Sequence, residues 1–590
     1  MGAFFLYTNQ SQINLEPVVS LFRAKGFSSF LPIYEFGSWS LLHFRKQLVS
    51  HESLTISDSG ISLFGYGTFT YKGYGLQKSL KIILADYCYD QLDKKAILGV
   101  YCLLFITNDG ITFLNDRMNL FHIFTNYDNT VFSSSFAAVL KAGPQKFRIN
   151  ILAALENILS GYIIGPETIV HGISLADNRY QRAFKHHNVS FSLHPLNELT
   201  SKTDRQIPFN SCVDEQLAEL DQYFSSFKNL VDNMGGVDIG LSGGYDSRVL
   251  LLLAKRHFSK VYAHSHFHRS VTSDETCAEK ISAATNVKLY RCAEAKQPAE
   301  MDVDEFEQNI ENTAAFNDGR VIHDYSWLVY FRTRWYREAV LRDLRFGMNG
   351  LAGELYRNHD NHCFHRVDVR DWFKARVLAP GASSSLTSKS LSDALDHILE
   401  KAGSTLGEDL SSSITHHQTR RYFGELFSVY GAAVRMNIDN QLAFSLSPFL
   451  DYAPRLSSYR ALPHIGLHGR FEAAMISRMD PGVASIPSSY GYPFNRTEPI
   501  GHLIKCAARG LIPYKLQSLI NSIRFDKIIT KSKAYETVFY QHALVQRAAE
   551  LMKSHCFGLD IDQAAHDEVL IMRVISIGIM LLKYEDCIEL

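Results

Sequence analysis

The chain has 590 residues, with 60 basic against 61 acidic side chains and nine cysteines. That length calls for two to four domains whose cores need no disulfide or metal staple. The near-neutral balance, without blocks of like charge, argues against a polymer-phosphate or anionic-membrane partner, so neither nucleic acid nor membrane is expected.

The cysteines are scattered from Cys88 to Cys587 without a CxxC pair, which suits a reducing, cytoplasmic setting better than a disulfide framework. No charged-then-apolar leader opens the chain, and Leu6 stands where a myristoylation signal wants Ser or Thr. The apolar stretch VLIMRVISIGIMLL from 569 is broken by Arg573 and falls short of the roughly 18 uninterrupted apolar residues of a spanning helix.

Residues 1 to about 200 carry short aromatic and β-branched runs (ISLFGYGTFTYKG, VYCLLFITNDGITFLND, NTVFSSSF) separated by Gly, Asn and Asp turn signals, which predicts antiparallel sheet. The polar segment SKTDRQIPFNSCVDEQ, 201 to 216, marks a boundary near 205. From Gln216 to Val231, Leu217, Leu220, Phe224 and Phe227 share one face of a predicted helix. From Val237 the pattern alternates: VDIGLSGGYDSRVLLLLAKRHF reads as strand, glycine turn and helix, KVYAHSHF as strand, DETCAEKISAAT as helix. This predicts a parallel, doubly wound sheet. Beyond about 365 the chain reads as mostly helical, with GASSSLTSKSLSD as a surface loop. There is no internal repeat.

The turn Ser242-Gly243-Gly244-Tyr245-Asp246-Ser247 follows a strand ending at Leu241 and leaves backbone N–H groups and two hydroxyls where a helix begins, an anion site by dipole and geometry. It lacks the lysine and the spacing of GxxxxGK[ST]. Asp246 beside a phosphate makes sense with Mg²⁺ between carboxylate and pyrophosphate oxygens, which points to pyrophosphate-releasing use of ATP. The plain alternative is a capped strand-to-helix turn.

SGGYDS resembles the pyrophosphatase loop of the asparagine synthetase family, which includes β-lactam synthetases and lasso-peptide cyclases. VYAHSHFHRSVTSDETCAEKISAATNV resembles the family's second strand, a loop with Asp274-Glu275 and a helix carrying Ala278. SPFLDYAPRLSSYRALP, with Pro448, Phe449, Leu450 and Asp451, resembles its PFLD motif, and RFGMNGLAGELYRNH its glycine-rich acidic loop. In the first half LNDRMNLFHIFTN is similar to DRxGxxPLYY, SSSFAAVLKA to ASELKALL, and GYIIGPETIVHGISL to the segment closing the amidotransferase-like domain. The similarity spans roughly residues 60 to 500 in order.

This resemblance implies a degenerate, N-terminal-nucleophile-like α+β antiparallel sandwich over 1–204, followed by an α/β parallel-sheet ATP-pyrophosphatase domain with a helical C-terminal part over 205–590. It implies binding of ATP by Leu241, Ser242, Gly243, Gly244, Asp246, Ser247 and Gly350, Mg²⁺ on Asp246 and Glu354, and site roles for Glu354, Tyr356 and Arg357. The partners implied are a small-molecule or peptide carboxylate and an amine, with a homodimer as a further expectation.

The departures matter as much. Gly2 stands where glutamine-using members carry their nucleophilic cysteine, so no side chain can attack a glutamine amide by that route. Gly353 replaces the family's magnesium-binding aspartate, and the earlier catalytic acid or tyrosine of that loop falls near Gly350. Pro487-Ser488-Ser489-Tyr490-Gly491-Tyr492 replaces a lysine-bearing stretch whose cation would be worth several kcal/mol, with Arg470, Arg478 or Arg496 as nearby substitutes. The resemblance therefore implies an AMP-forming carbon–nitrogen ligase, in a specialised pathway, whose amine does not come from its own glutaminase site: ammonia, an amine of the substrate itself closing a ring, or one on a peptide or sugar. The competing expectation is a nucleotide-binding relative that has lost ligation and acts as a regulatory or scaffold partner.

Two histidine groups complete the candidates. His359, His362, Cys363 and His365 follow the glycine-rich loop without a known zinc spacing, and read as a polar loop. His264, His266 and His268 alternate along one strand face and read as lining the nucleotide pocket or packing. Glu354, Tyr356 and Arg357 also have a plain alternative, charges ending a helix.

Overall fold

The computed structural model describes residues 2–9, 12–27, 33–49, 55–107, 110–177, 189–191, 207–266, 273–292, 301–318, 320, 344–358, 366–465, 468–520, 542–555 and 558–589. The expected boundary near 205 lies outside them, as do His268 and the run from His359 to His365.

The aromatic runs of the first 200 residues form two facing sheets. One has six strands in the order Ile173–Leu175, Phe124–Asn126, Val131–Ser133, Ala3–Thr8, Trp39–Phe44 and Tyr34–Phe36, all antiparallel. The other has five, Val189–Phe191, Gly110–Asn115, Ile97–Thr107, Ile61–Tyr71 and Thr55–Asp58, antiparallel but for the first pair. Phe4 against Tyr66 at 4.8 Å and Phe113 against Phe132 at 5.3 Å close the layer between them.

The second part is built on a parallel sheet in the order Lys288–Cys292, Val261–His266, Val237–Gly240, Phe346–Met348, Phe444–Leu446. Starting from the central Val237–Gly240 strand, the chain winds outward to one edge and then crosses to the other. The reversal falls between that strand and Phe346–Met348. In such sheets ligands bind beyond the carboxyl ends of the strands at this switch point. Both loops singled out in the sequence, SGGYDS and GLAGELY, leave the sheet there.

The predicted helix near 216–231 is two, Phe209–Ser226 and Lys228–Asn233, with Leu217, Leu220, Phe224 and Phe227 buried as the spacing predicts. The serine-rich stretch from 381 is a correction: it forms the helix Ala382–Ser385 and the start of the helix Ser388–Leu406. Its hydroxyls serve as caps, Thr387 accepting from the Ser390 amide at 3.1 Å. The apolar stretch from 569 is the helix Glu568–Lys583, whose Arg573 is buried and donates to the carbonyls of Ile158 and Leu159, the last turn of the helix Ile151–Ser160. Among the described residues no helix is long and apolar enough to cross a membrane, and the described cysteines form no disulfide.

One hydrophobic core runs through both parts. Where they meet, two motifs from the sequence do structural work. Asp451 of the PFLD stretch accepts from the Gly99 amide and the Tyr223 hydroxyl, both at 2.7 Å, and from the Tyr452 amide at the start of the helix Tyr452–Arg460. Asp116 of LNDRMNLFH gathers the amides of Leu120 and Phe121 at 2.8 Å, while Arg117 lies 3.3 Å over the Tyr452 ring. Burial pushes Asp451 up to about 6 and Asp116 to about 7 against the backbone donors that favour their charged forms.

Candidate functional site

The SGGYDS turn joins the Val237–Gly240 strand to the helix Tyr245–His257. Leu241 is buried and its amide bonds the His264 carbonyl at 2.8 Å, continuing the sheet for one residue. The turn is then held by its own side chains. Ser247 Oγ accepts from the Ser242 amide and contacts Ser242 Oγ, both at 3.1 Å, and Ser242 Oγ accepts from the Gly244 amide at 3.3 Å. Asp274, at the start of the helix Ser273–Thr285, accepts from the Gly243 amide at 2.9 Å. Gly243 is needed, because a Cβ there would lie 2.9 Å from that of Ser489 and 3.0 Å from that of Cys277. Gly244, the cap of the loop helix, makes no side-chain cap hydrogen bond, so the helix presents its first-turn amides without one.

The inner end of the turn is anchored by Arg248, fully buried, which donates to the carbonyls of Gly243, Val483, Ile486 and Pro487. Burial lowers its pKa to about 10, still well charged at neutral pH. The Ser489 amide returns a bond to the Gly243 carbonyl at 3.3 Å, and Tyr245 stacks on Phe494 at 3.9 Å. The stretch 487–492 therefore lies against the loop, with serines and tyrosines in place of a lysine.

The glycine-rich loop packs on the other side. Ala352 adopts φ +70°, uncommon for a residue with a Cβ, and launches the 3-10 helix Gly353–Tyr356. Arg420 fixes this turn by donating to the carbonyls of Glu354, Leu355 and Arg357. A Cβ on Gly353 would stand 2.6 Å from Asp246 Cγ, and one on Gly350 3.0 Å from Asp246 Cβ. Gly353 is thus a contact requirement, and an aspartate there would collide with Asp246.

At the centre is a charge cluster. Arg357 donates to Asp246 Oδ1 and to Glu472 Oε2, each at 2.8 Å, and lies 3.8 Å from Glu354 Oε1. Glu472 comes from the helix Arg470–Met479 and its carboxyl is 2% exposed, whereas that of Glu354 is 41% exposed and faces solvent. Three carboxylates face one guanidinium. Burial and then Asp246 push Glu472 well above the carboxylate range, and Glu354 is raised in the same direction although its side chain reaches solvent, with Arg357 opposing both. Burial opposes the charge on Arg357, but Asp246, Glu472 and Glu354 hold its pKa well above normal. Oxygen donors with excess negative charge are the chemistry a hard divalent cation favours, and Asp246 and Glu354 offer such donors on either side of Arg357.

Of the sequence candidates, Leu241, Ser242, Gly243, Gly244, Asp246, Ser247, Gly350, Glu354 and Arg357 come together here. Tyr356 does not: it is 1% exposed, its hydroxyl donates to the Pro454 carbonyl at 2.9 Å, and it packs between Phe449 and Phe471. Of the three substitute cations, Arg470 lies over Phe209 and Arg478 pairs with Asp214, both on the helix Phe209–Ser226 side, while Arg496 is exposed. Arg357 is the cation beside Asp246. His264 pairs with Asp238 at 2.9 Å within the sheet. Glu472, Arg248 and Arg420 carry no local motif that would single them out for these contacts, whereas Asp274 belongs to the Asp274-Glu275 loop that the resemblance includes. Gly2 is buried, its amide bonded to the Phe44 carbonyl at 2.9 Å, with Arg45, Lys46 and Phe27 all 3.1 Å from where a Cβ would be. The chain matches no protein-family model, and no curated protein matches it.

Proposed function

We propose that this chain is an ATP-dependent, AMP-forming ligase of the asparagine synthetase kind, which activates a substrate carboxylate and passes the acyl group to an amine it does not generate itself. The observation that carries this reading is the convergence of the SGGYDS turn, the loop-helix amides and the Asp246–Arg357–Glu354 cluster at the switch point of the parallel sheet. The phosphates of ATP lie along the turn, on the helix amides and the Ser242 and Ser247 hydroxyls. Asp246 and Glu354 would hold a Mg²⁺, which would neutralise charge on the leaving pyrophosphate. Arg357 faces the negative charge that develops as the carboxylate oxygen attacks the α-phosphorus. Gly2 offers no nucleophile, and a Cβ there would press at 3.1 Å on Arg45, Lys46 and Phe27, so on this reading the first sandwich serves as a scaffold.

The test is pyrophosphate release from ATP and Mg²⁺ by the full chain against a pool of carboxylates and amines, with Asp246→Ala and Ser247→Ala as controls whose melting is checked. Release that disappears in both folded variants supports adenylation. One observation favours a second reading: Gly353 excludes the second carboxylate that the resemblance leads one to expect. On that reading the chain binds ATP as a regulatory or scaffold partner, and saturable nucleotide binding without pyrophosphate release from any pool is its signature.

A further inference from the structure

Behind the first residue of the loop helix lies a second cluster. The helix Ile500–Leu511 turns His502 and Cys506, one turn apart, towards His468, and one ligand atom from each lies within 4.8 Å of the others. Cys506 Sγ is 3.5 Å from His502 Nε2. Zn–S near 2.3 Å and Zn–N near 2.0 Å at the tetrahedral angle separate sulfur and nitrogen by about 3.5 Å. Glu498, just before the helix, places Oε1 3.5 Å from His468 Nδ1.

Two features favour a cation at this grouping. The Glu498 carboxyl is 9% exposed, and among the described residues neither of its oxygens accepts a hydrogen bond. A buried carboxylate so placed is costly without a positive partner. The helix is also inverted: it buries Cys506 and turns the half-buried His502 inward while Ile500, Ile504 and Leu511 are 75%, 62% and 78% exposed. Packing alone would favour the opposite rotation of an amphipathic helix.

We infer that His468, His502 and Cys506 bind a zinc ion, with the Glu498 carboxylate against His468 as its acidic neighbour. A thiolate with two imidazoles suits zinc. Its place explains what it braces: His468 lies 3.3 Å from the Tyr492 hydroxyl and 3.5 Å from that of Tyr245, and its ring stands edge-on to His502 at 4.5 Å. The ion would tie the helix Ile500–Leu511 to the aromatic cluster behind the SGGYDS turn. Burial holds His502 towards its neutral form and Cys506 towards the thiol, so binding releases the thiol proton. The inference does not depend on the chain being a ligase.

The probes are Zn²⁺ and Co²⁺ added to the full chain after chelator treatment and dialysis. One equivalent of tightly held zinc is expected, with a sulfur-to-cobalt charge-transfer band and tetrahedral ligand-field bands for Co²⁺. Cys506→Ser should remove the charge-transfer band, and Glu498→Gln should weaken zinc by about 10–100-fold or more, since even outer-shell partners are worth that much. The other candidate cluster among the described residues, Glu156, Glu167 and His397, holds no sulfur and cannot give that band. Wild-type protein that retains no stoichiometric zinc, or whose cobalt spectrum is octahedral or survives Cys506→Ser, overturns the inference without any variant having to fold well.

Discussion

Replacing Arg357 by methionine removes the one guanidinium that touches Asp246, Glu472 and Glu354 while keeping most of its volume. Breaking a buried pair by deleting one partner costs about 3–5 kcal/mol, because the remaining charge is stranded. Here the carboxylates have an escape, protonation, so the cost must depend on pH. Glu472, raised by burial, and Glu354, raised beside it, bind protons more tightly still once Arg357 is gone. The folded variant then holds more proton than folded wild type over the range where Arg357 competes for these carboxylates, and stability falls as pH rises through that range. Between pH 6 and 8 the destabilisation of Arg357→Met should therefore grow. Urea unfolding at both pH values, following the transition that reports the second part, measures it, and Glu472→Gln added to the variant should recover much of the loss at pH 8. A cost below about 1 kcal/mol that does not change with pH would mean that these carboxylates are solvated and that the charge cluster described here is wrong.

Gly353→Ala places a methyl within 2.6 Å of Asp246 Cγ, so overpacking of about 1–3 kcal/mol and loss of pyrophosphate release are expected, read by melting and by the release assay; full activity would show that the two loops separate in solution. Asp451, raised to about 6 from an ordinary 3.8, makes wild type lose about 2 kcal/mol of stability as pH rises from 4 to 7, because the folded state keeps the proton longer. Asp451→Asn leaves one of three donors unpaired but does not titrate, so its destabilisation relative to wild type should shrink by about that amount across the same range in paired denaturant titrations; a constant difference refutes the assignment.

The strand, turn and helix around SGGYDS are legible in the sequence because their signals are local: an apolar run, two glycines, then helical spacing. The partners of Asp246 are less so. In a 3-10 helix residues three apart eclipse, so Glu354 and Arg357 share the side facing Asp246 while Tyr356 points into the core, a phase that a linear motif does not reveal. Glu472 arrives from a helix far down the chain with no motif of its own. The serines of 381–393 were legible as polar and misread as loop, since a capping hydroxyl and a loop hydroxyl look alike without the helix beside them. The His502-to-Cys506 spacing was on view as a one-turn helical pair, but His468 and Glu498 join it only through folding.

The seam between the two parts also sets a timetable. The Gly99 amide finds Asp451 across 352 residues, and the Thr68 hydroxyl finds Asn440 across 372. At about 5–20 residues per second of synthesis, the long strands of the first sandwich wait roughly 20–70 s for the acceptors that complete their polar pairing. During that interval the nascent first half presents an unfinished face to the cell. The first half made alone should therefore be less stable than the same half within the full chain, since Gly99 and Thr68 lose these partners.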